Sequence, residues 1–235
     1  MNSEAIFVGE SNTIAAARSE IYRALSAAFV FPDSQERVDA VLVDIPAALR
    51  ELEGKLPYRV DALLTVSIAD GSAASLAEAY TKLFDNCTGR TTCPLFEKEY
   101  VNTDYKKVWE DIIRFYEHFD LNYDLNRSRT FPDWIATELE FVHYLTFLEA
   151  SSTDNAGYIA AQRDFLSRHL AAWIPQFSAR IAETGAGTVY GAYATALAEF
   201  IAAELEFNSA RLPVDAPVIG ITLNTASQEM QWMSQ

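Results

Sequence analysis

Residues 131–150 read FPDWIATELEFVHYLTFLEA, and the spacing of their apolar side chains decides the fold. Ile135, Leu139, Val142, Leu145 and Leu148 recur three or four positions apart. That spacing draws one stripe along a helix and excludes the two-residue alternation of a half-buried strand. Pro132 and Asp133 stand at the start, where a missing N–H costs little and an acid meets the positive end of the helix dipole. The same period recurs on both sides. Downstream it predicts helices over about Asn155–Trp173, Pro175–Glu183 and Thr188–Phe207. Upstream, Val108, Trp109, Ile112, Ile113 and Tyr116 place one over about Asp104–Phe119, and Leu76, Ala79, Tyr80, Leu83 and Phe84 place another behind an N-cap at Ser72. A short helix starts at Pro57 and passes Leu63, Leu64 and Ile68. Before it, Val38, Val41, Leu42 and Ile45 mark a helix disturbed at Pro46. The first runs from Thr13 to Phe29, capped by Ser11 or Asn12 and stopped at Pro32. The expectation is an all-α, single-domain bundle of about nine to eleven helices. It spans 13–207, between an N-terminal extension at 1–12 and a partly ordered tail at 208–235.

With 235 residues, half of them hydrophobic, the chain is long enough to bury roughly 70% of its unfolded surface without disulfides or metal. Thirty-three acidic against 18 basic residues leave a net charge of -15, which opposes nucleic acid and anionic lipid and favours a basic partner. No apolar run approaches the ~20 residues of a membrane span, and Glu4, Glu10 and Glu20 stand where a secretory signal is basic and then apolar. The location expected is the cytoplasm.

Catalytic motifs are sparse. Glu140 and His143 form E-x-x-H on one helix face, but a di-iron bundle needs a second such pair, and Phe115 and Leu166 precede His118 and His169 at that spacing. Cys87 and Cys93 form no C-x-x-C; they are reduced thiols under a loop or a reversible disulfide. Gly185, Gly187 and Gly191 follow a helical stretch where a dinucleotide fingerprint needs a strand, so they read as a helix-to-helix turn. No phosphate loop or nucleophile elbow occurs, and neither enzyme activity nor cofactor is expected. Two irregular segments interrupt the helices. Asp85–Thr103 holds both cysteines, Gly89 and Pro94, and Asp120–Phe131 holds Arg127 and Arg129. The first is long enough to be functional.

The residues around that segment resemble the TorD/DmsD family of redox-enzyme maturation chaperones, which includes the NarJ nitrate reductase chaperone. Glu78-Ala79-Tyr80-Thr81-Lys82-Leu83-Phe84 matches the family's E-x-Y-x-x-L-F element. Phe131-Pro132-Asp133-Trp134-Ile135-Ala136-Thr137-Glu138-Leu139 is similar to its P-D-H-I-x-x-E-L element, with Trp134 in place of histidine. Cys93–Tyr100, with Pro94, Glu97 and Tyr100, resembles the loop of chaperones serving type II enzymes of the dimethyl sulfoxide reductase family. The likeness spans about Ala15–Phe207.

The resemblance implies a TorD-like helical chaperone, a monomer or weak dimer. Its partner is the catalytic subunit of a molybdenum enzyme, bound before cofactor insertion and often through a twin-arginine leader. A general helical adaptor is the alternative. The residues expected to meet the client are Tyr80, Leu83, Phe84, Pro94, Glu97, Tyr100, Pro132, Asp133, Trp134 and Glu138. Leader binding needs carboxylates beside an apolar groove. Asp133 therefore has two readings, a helix cap or a partner for a guanidinium. A histidine role does not transfer to Trp134, whose indole donates one hydrogen bond and offers a cation-attracting face.

Overall fold

The computed structural model describes residues 3–66, 73–85, 91–124, 130–213 and 216, with side chains from residue 12 onward except at 73. Ten α-helices are present among them: α1 (Ser3–Ala28), α2 (Gln35–Asp39), α3 (Ile45–Glu53), α4 (Asp61–Thr65), α5 (Ala73–Phe84), α6 (Tyr105–His118), α7 (Ile135–Ser151), α8 (Ala156–Arg168), α9 (Leu170–Thr184) and α10 (Val189–Ala210). No helix in the described residues is long and apolar enough to cross a membrane.

The stretch that decides the fold lies at its centre. α7 is buried on most of its circumference, through Ile135, Ala136, Leu139, Phe141, Val142 and Leu145. It packs along α1 on one side and α8 on another, while α10 lies against α4, α8 and α9. Each large side chain so buried contributes roughly 1.5–3 kcal/mol. α1 supplies Ile21, Tyr22 and Leu25, and Phe29 follows its end, all fully buried. His143 Nδ1 donates to the Ser19 carbonyl at 2.9 Å, so the histidine of the E-x-x-H pair ties α7 to α1.

Several boundaries differ from the sequence expectation. α1 starts at Ser3 rather than Thr13. Ser11 and Asn12 lie inside it, because a residue able to cap ends no helix unless the chain also turns there. Pro46 leaves its helix continuous: the π-helical turn Ala40–Asp44 sends Ile45 N–H to Ala40 O and absorbs the lost bond. The break expected at Pro175 falls at His169, with φ -118° and ψ -94°, and Pro175 lies within α9. The backbone turns where the His169 side chain is drawn between Glu97 and Asp111. α10 passes Phe207 to end at Ala210, because Asn208 belongs to a buried hydrogen-bonded cluster. Between α9 and α10, Gly187 takes φ +81°, the left-handed turn the glycines lead one to expect. Ile68, Ser72, Cys87, Gly89, Arg127, Arg129 and residues 217–235 lie outside the described residues.

Candidate functional site

The segment from Thr91 to Asp104 holds no α-helix, only the short 3₁₀ turn Glu97–Glu99, yet is fastened on three sides. Cys93 N–H donates to Leu83 O at the end of α5, at 2.8 Å. Glu97 N–H donates to Asp133 O at 3.0 Å and Ile135 N–H to Leu95 O at 2.9 Å, closing an antiparallel bridge between Phe96 and Trp134. Tyr100 OH donates to Pro94 O at 2.9 Å. The Tyr100 ring stacks on Trp173 of α9 with centroids 5.3 Å apart, under the Arg180 guanidinium. Cys93 is a free, buried thiol 3.2 Å from the Thr184 hydroxyl. Both motif segments thus grip one loop.

Acids gather beneath this loop. Asp133 is fully buried: Oδ1 accepts the Trp109 indole N–H at 2.7 Å and Oδ2 accepts the Lys98 backbone N–H at 3.2 Å. Burial pushes its carboxyl up, and Lys98 and Trp109 recover part of that cost. It does not cap α7, whose N-cap is Trp134. Glu138, also fully buried, accepts the Trp173 indole N–H at 3.1 Å through Oε2, while Oε1 has no partner. Burial, and then repulsion from Glu97, raises Glu138 well above its ordinary value and so favours its protonated form. Glu97 Oε2 meets His169 Nδ1 at 3.0 Å, and His169 Nε2 approaches Asp111 Oδ2 at 3.2 Å without hydrogen-bond alignment. Burial lowers the imidazole, but Asp111 and Glu97 outweigh it and raise the net value. Glu97 and His169 reach a cavity of about 610 Å³ also lined by Asp111, Arg114 and Arg168.

The outer side of the loop is aromatic. Trp109 stacks on Phe131 with centroids 4.8 Å apart, and Tyr105 and Phe96 extend the cluster edge-on. The Lys98 ammonium stands 5.2 Å from the Phe96 ring centre, 4.9 Å from Trp109 and 4.4 Å from Phe131. Each such contact is worth about 0.5–1 kcal/mol near the surface. A cavity of about 610 Å³ opens beside Phe84, Pro94, Phe96, Lys98 and Arg180. Another, of about 580 Å³, opens beside Lys98, Asp104, Tyr105 and Trp109.

The structure therefore sorts the expected site residues into inner and outer sets. Tyr80 is buried with its hydroxyl on Phe29 O at 3.1 Å, and Leu83 is buried against Gly185. Pro132 is buried and its carbonyl accepts Tyr116 OH. Glu97, Asp133 and Glu138 are inside too, so none presents a carboxylate to solvent. Phe84 and Pro94 line the first cavity, and Tyr100 and Trp134 are half-buried around the loop. Sequence reasoning missed Phe96, Lys98, Trp109, Phe131 and Arg180 as members of this surface, and His169 beneath it. Phe96, Lys98 and Phe131 lie within the quoted motif segments, a usable signal; Trp109, His169 and Arg180 arrive only by folding.

The two motif segments of this all-helical bundle thus close on one aromatic loop. The chain belongs to the nitrate reductase delta subunit family, whose family model matches residues 43–179. It is 33% identical over 151 residues to the selenate reductase assembly chaperone protein of Thauera selenatis, covering 62% of this chain and 75% of the relative. With the chlorate reductase assembly chaperone protein of Ideonella dechloratans it shares 35% identity over 133 residues, 54% of this chain and 67% of that one. The perchlorate reductase assembly chaperone protein of Dechloromonas aromatica aligns over 224 residues at 28% identity, 88% of this chain and 95% of the relative. These relatives are named as assembly chaperones rather than catalysts. A crystal structure of a redox enzyme maturation protein from Archaeoglobus fulgidus shares the fold, with a TM-score of 0.50 at 19% identity over 79% of this chain and 93% of that chain.

Proposed function

We propose that this chain is a cytoplasmic assembly chaperone for the catalytic subunit of a type II molybdoenzyme of the dimethyl sulfoxide reductase family. It holds that subunit, partly through its leader, until the cofactor is in place and export can follow. The observation that carries the reading is the shared loop: motif segments about fifty residues apart, Glu78–Phe84 and Phe131–Leu139, both hydrogen-bond the stretch Cys93–Glu97. Client contact falls on its outer side, at Phe84, Pro94, Phe96, Lys98, Tyr100, Phe131 and Trp134. The inner residues Tyr80, Leu83, Glu97, Pro132, Asp133 and Glu138 hold that surface in shape. The net charge of -15 speeds encounter with a basic leader, an effect screened over about 8 Å at physiological salt.

The test is co-expression of the tagged chain with selenate, chlorate and perchlorate reductase catalytic subunits, each with and without its leader. Retention of at least one subunit is expected, more of it when the leader is present. A folded, monodisperse chain that retains none of them would overturn the reading.

A further inference from the structure

We propose that Phe96, Trp109 and Phe131 form a receptor for one arginine side chain of a bound polypeptide, and that Lys98 is the stand-in that occupies it in the free protein. The inference deepens the chaperone reading and rests on the chain binding a polypeptide client.

The ammonium of Lys98 shows which chemistry the rings accept. It lies within 5.2 Å of all three ring centres and forms no ion pair among the described residues. Its charge is held by the faces of the rings, with the buried Asp133 carboxylate behind them. The rings are organised independently of it. Asp133 fixes Trp109 through the indole N–H, Phe131 stacks on Trp109 at an interplanar angle of 21°, and the Phe96 backbone is pinned by its bridge to Trp134. A cage held from behind in this way remains when its occupant leaves.

There is room for the exchange. Lys98 and Glu99 line both the 610 Å³ and the 580 Å³ cavities, so the Lys98 side chain is part of the partition between them. Swinging it outward joins the two into one trough running past Phe84 and Pro94 on one side and Tyr105 on the other. The exposed carboxylates Glu99 and Asp104 stand on the rim and favour a cation arriving from solvent. Exchange of ammonium for guanidinium leaves the local charge unchanged. It also runs in the favourable direction: the guanidinium is planar, stacks on rings and is weakly hydrated, whereas the released ammonium regains a strong hydration shell. Phe131, 44% exposed, is the open wall through which the arginine enters.

The probe is an acetylated, amidated hexapeptide with one arginine followed by leucine and phenylalanine, compared with the same peptide carrying uncharged citrulline. Binding is followed by Trp fluorescence and calorimetry on the full chain, for wild type, Lys98→Met and Phe131→Leu. The arginine peptide should bind Lys98→Met about threefold or more tighter than wild type, and Phe131→Leu about threefold or more weaker. Citrulline should remove the preference for Lys98→Met. Equal or weaker binding of the arginine peptide by Lys98→Met would overturn the proposal, as would equal affinity for the citrulline peptide. Client co-purification separates this outcome from the wider reading. Retention of a reductase subunit with identical behaviour of all three proteins toward the peptides rejects the receptor and keeps the chaperone. The expected peptide pattern without any retained subunit keeps the receptor and rejects the chaperone.

Discussion

Two buried polar clusters differ in how their charges balance. At one end of the bundle, Arg18 is fully buried and binds Glu204 through Nε at 2.6 Å and Nη2 at 2.7 Å, Glu149 at 2.8 Å and Gln162 at 2.7 Å. Tyr22 and Tyr58 donate to Glu204, and Arg211 pairs with Glu149. Two guanidinium groups face two carboxylates. Under the loop, by contrast, Glu97 and Asp111 flank one buried imidazole, Asp133 and Glu138 are buried on the Trp109 and Trp173 indoles, and Arg168 pairs with Asp111 at the edge. Burial and the neighbouring Glu97 favour the protonated form of Glu138, whose Oε1 lacks a partner. The first cluster is matched and joins α1, α7, α8 and α10. The second is under-matched and lies beneath the surface assigned to the client. The contrast teaches that the loop is seated at some cost in stability.

The matched cluster is the place to break the comparison with the largest effect. Arg18→Met leaves Glu204 and Glu149 without their shared guanidinium. Breaking a buried pair from one side costs about 3–5 kcal/mol. Urea denaturation should show a loss of that size, and a loss below about 1 kcal/mol would mean the two clusters are not energetically distinct. Asp133→Asn probes the other end with a smaller effect. A carboxylate accepts from both Trp109 and Lys98, whereas an amide accepts one and turns an N–H₂ toward the other. One buried donor left unsatisfied costs about 1–3 kcal/mol, and Trp109 emission should shift as the indole loses its anchor. A variant with wild-type stability and emission would remove Asp133 from its place behind the aromatic cage.

The helices were legible in the sequence because their information is local. The stripe Ile135–Leu139–Val142–Leu145 is buried as its spacing requires, Pro32 follows the end of α1, and Asp104 caps α6 by accepting Lys106 N–H at 3.0 Å. What escaped is long-range. Arg18 and Glu204 are 186 positions apart, and no periodicity marks either as buried. Asp133 reads as a cap or an exposed ligand because its true partners, Lys98 and Trp109, come from a loop and a helix folded onto it. His169 breaks the chain where Pro175 was the local signal, since the pull comes from Glu97 and Asp111. The loop itself was legible as irregular; that Glu97 turns inward while Glu99 and Asp104 stay exposed was not.

The smallest effect sharpens the comparison through pH. Glu138 has a folded pKa raised well above its ordinary value near 4.5, first by burial and then by Glu97. Below that value both folded and unfolded chains hold the proton, and the group contributes no pH dependence. As pH rises above it, the unfolded chain releases a proton that the folded chain keeps, so stability falls. His169 acts with the same sign: its folded value is raised above 6.5, and its contribution is complete below that and lost as pH climbs through the folded value. Glu138→Gln keeps an acceptor for the Trp173 indole while removing the titration. At pH 5 the variant and wild type should unfold at nearly the same denaturant concentration. Between pH 5 and pH 8 the variant should gain stability relative to wild type, with the residual slope above pH 6.5 carried by His169. Parallel profiles for the two proteins would show that the loop acids are as well matched as the Arg18 cluster.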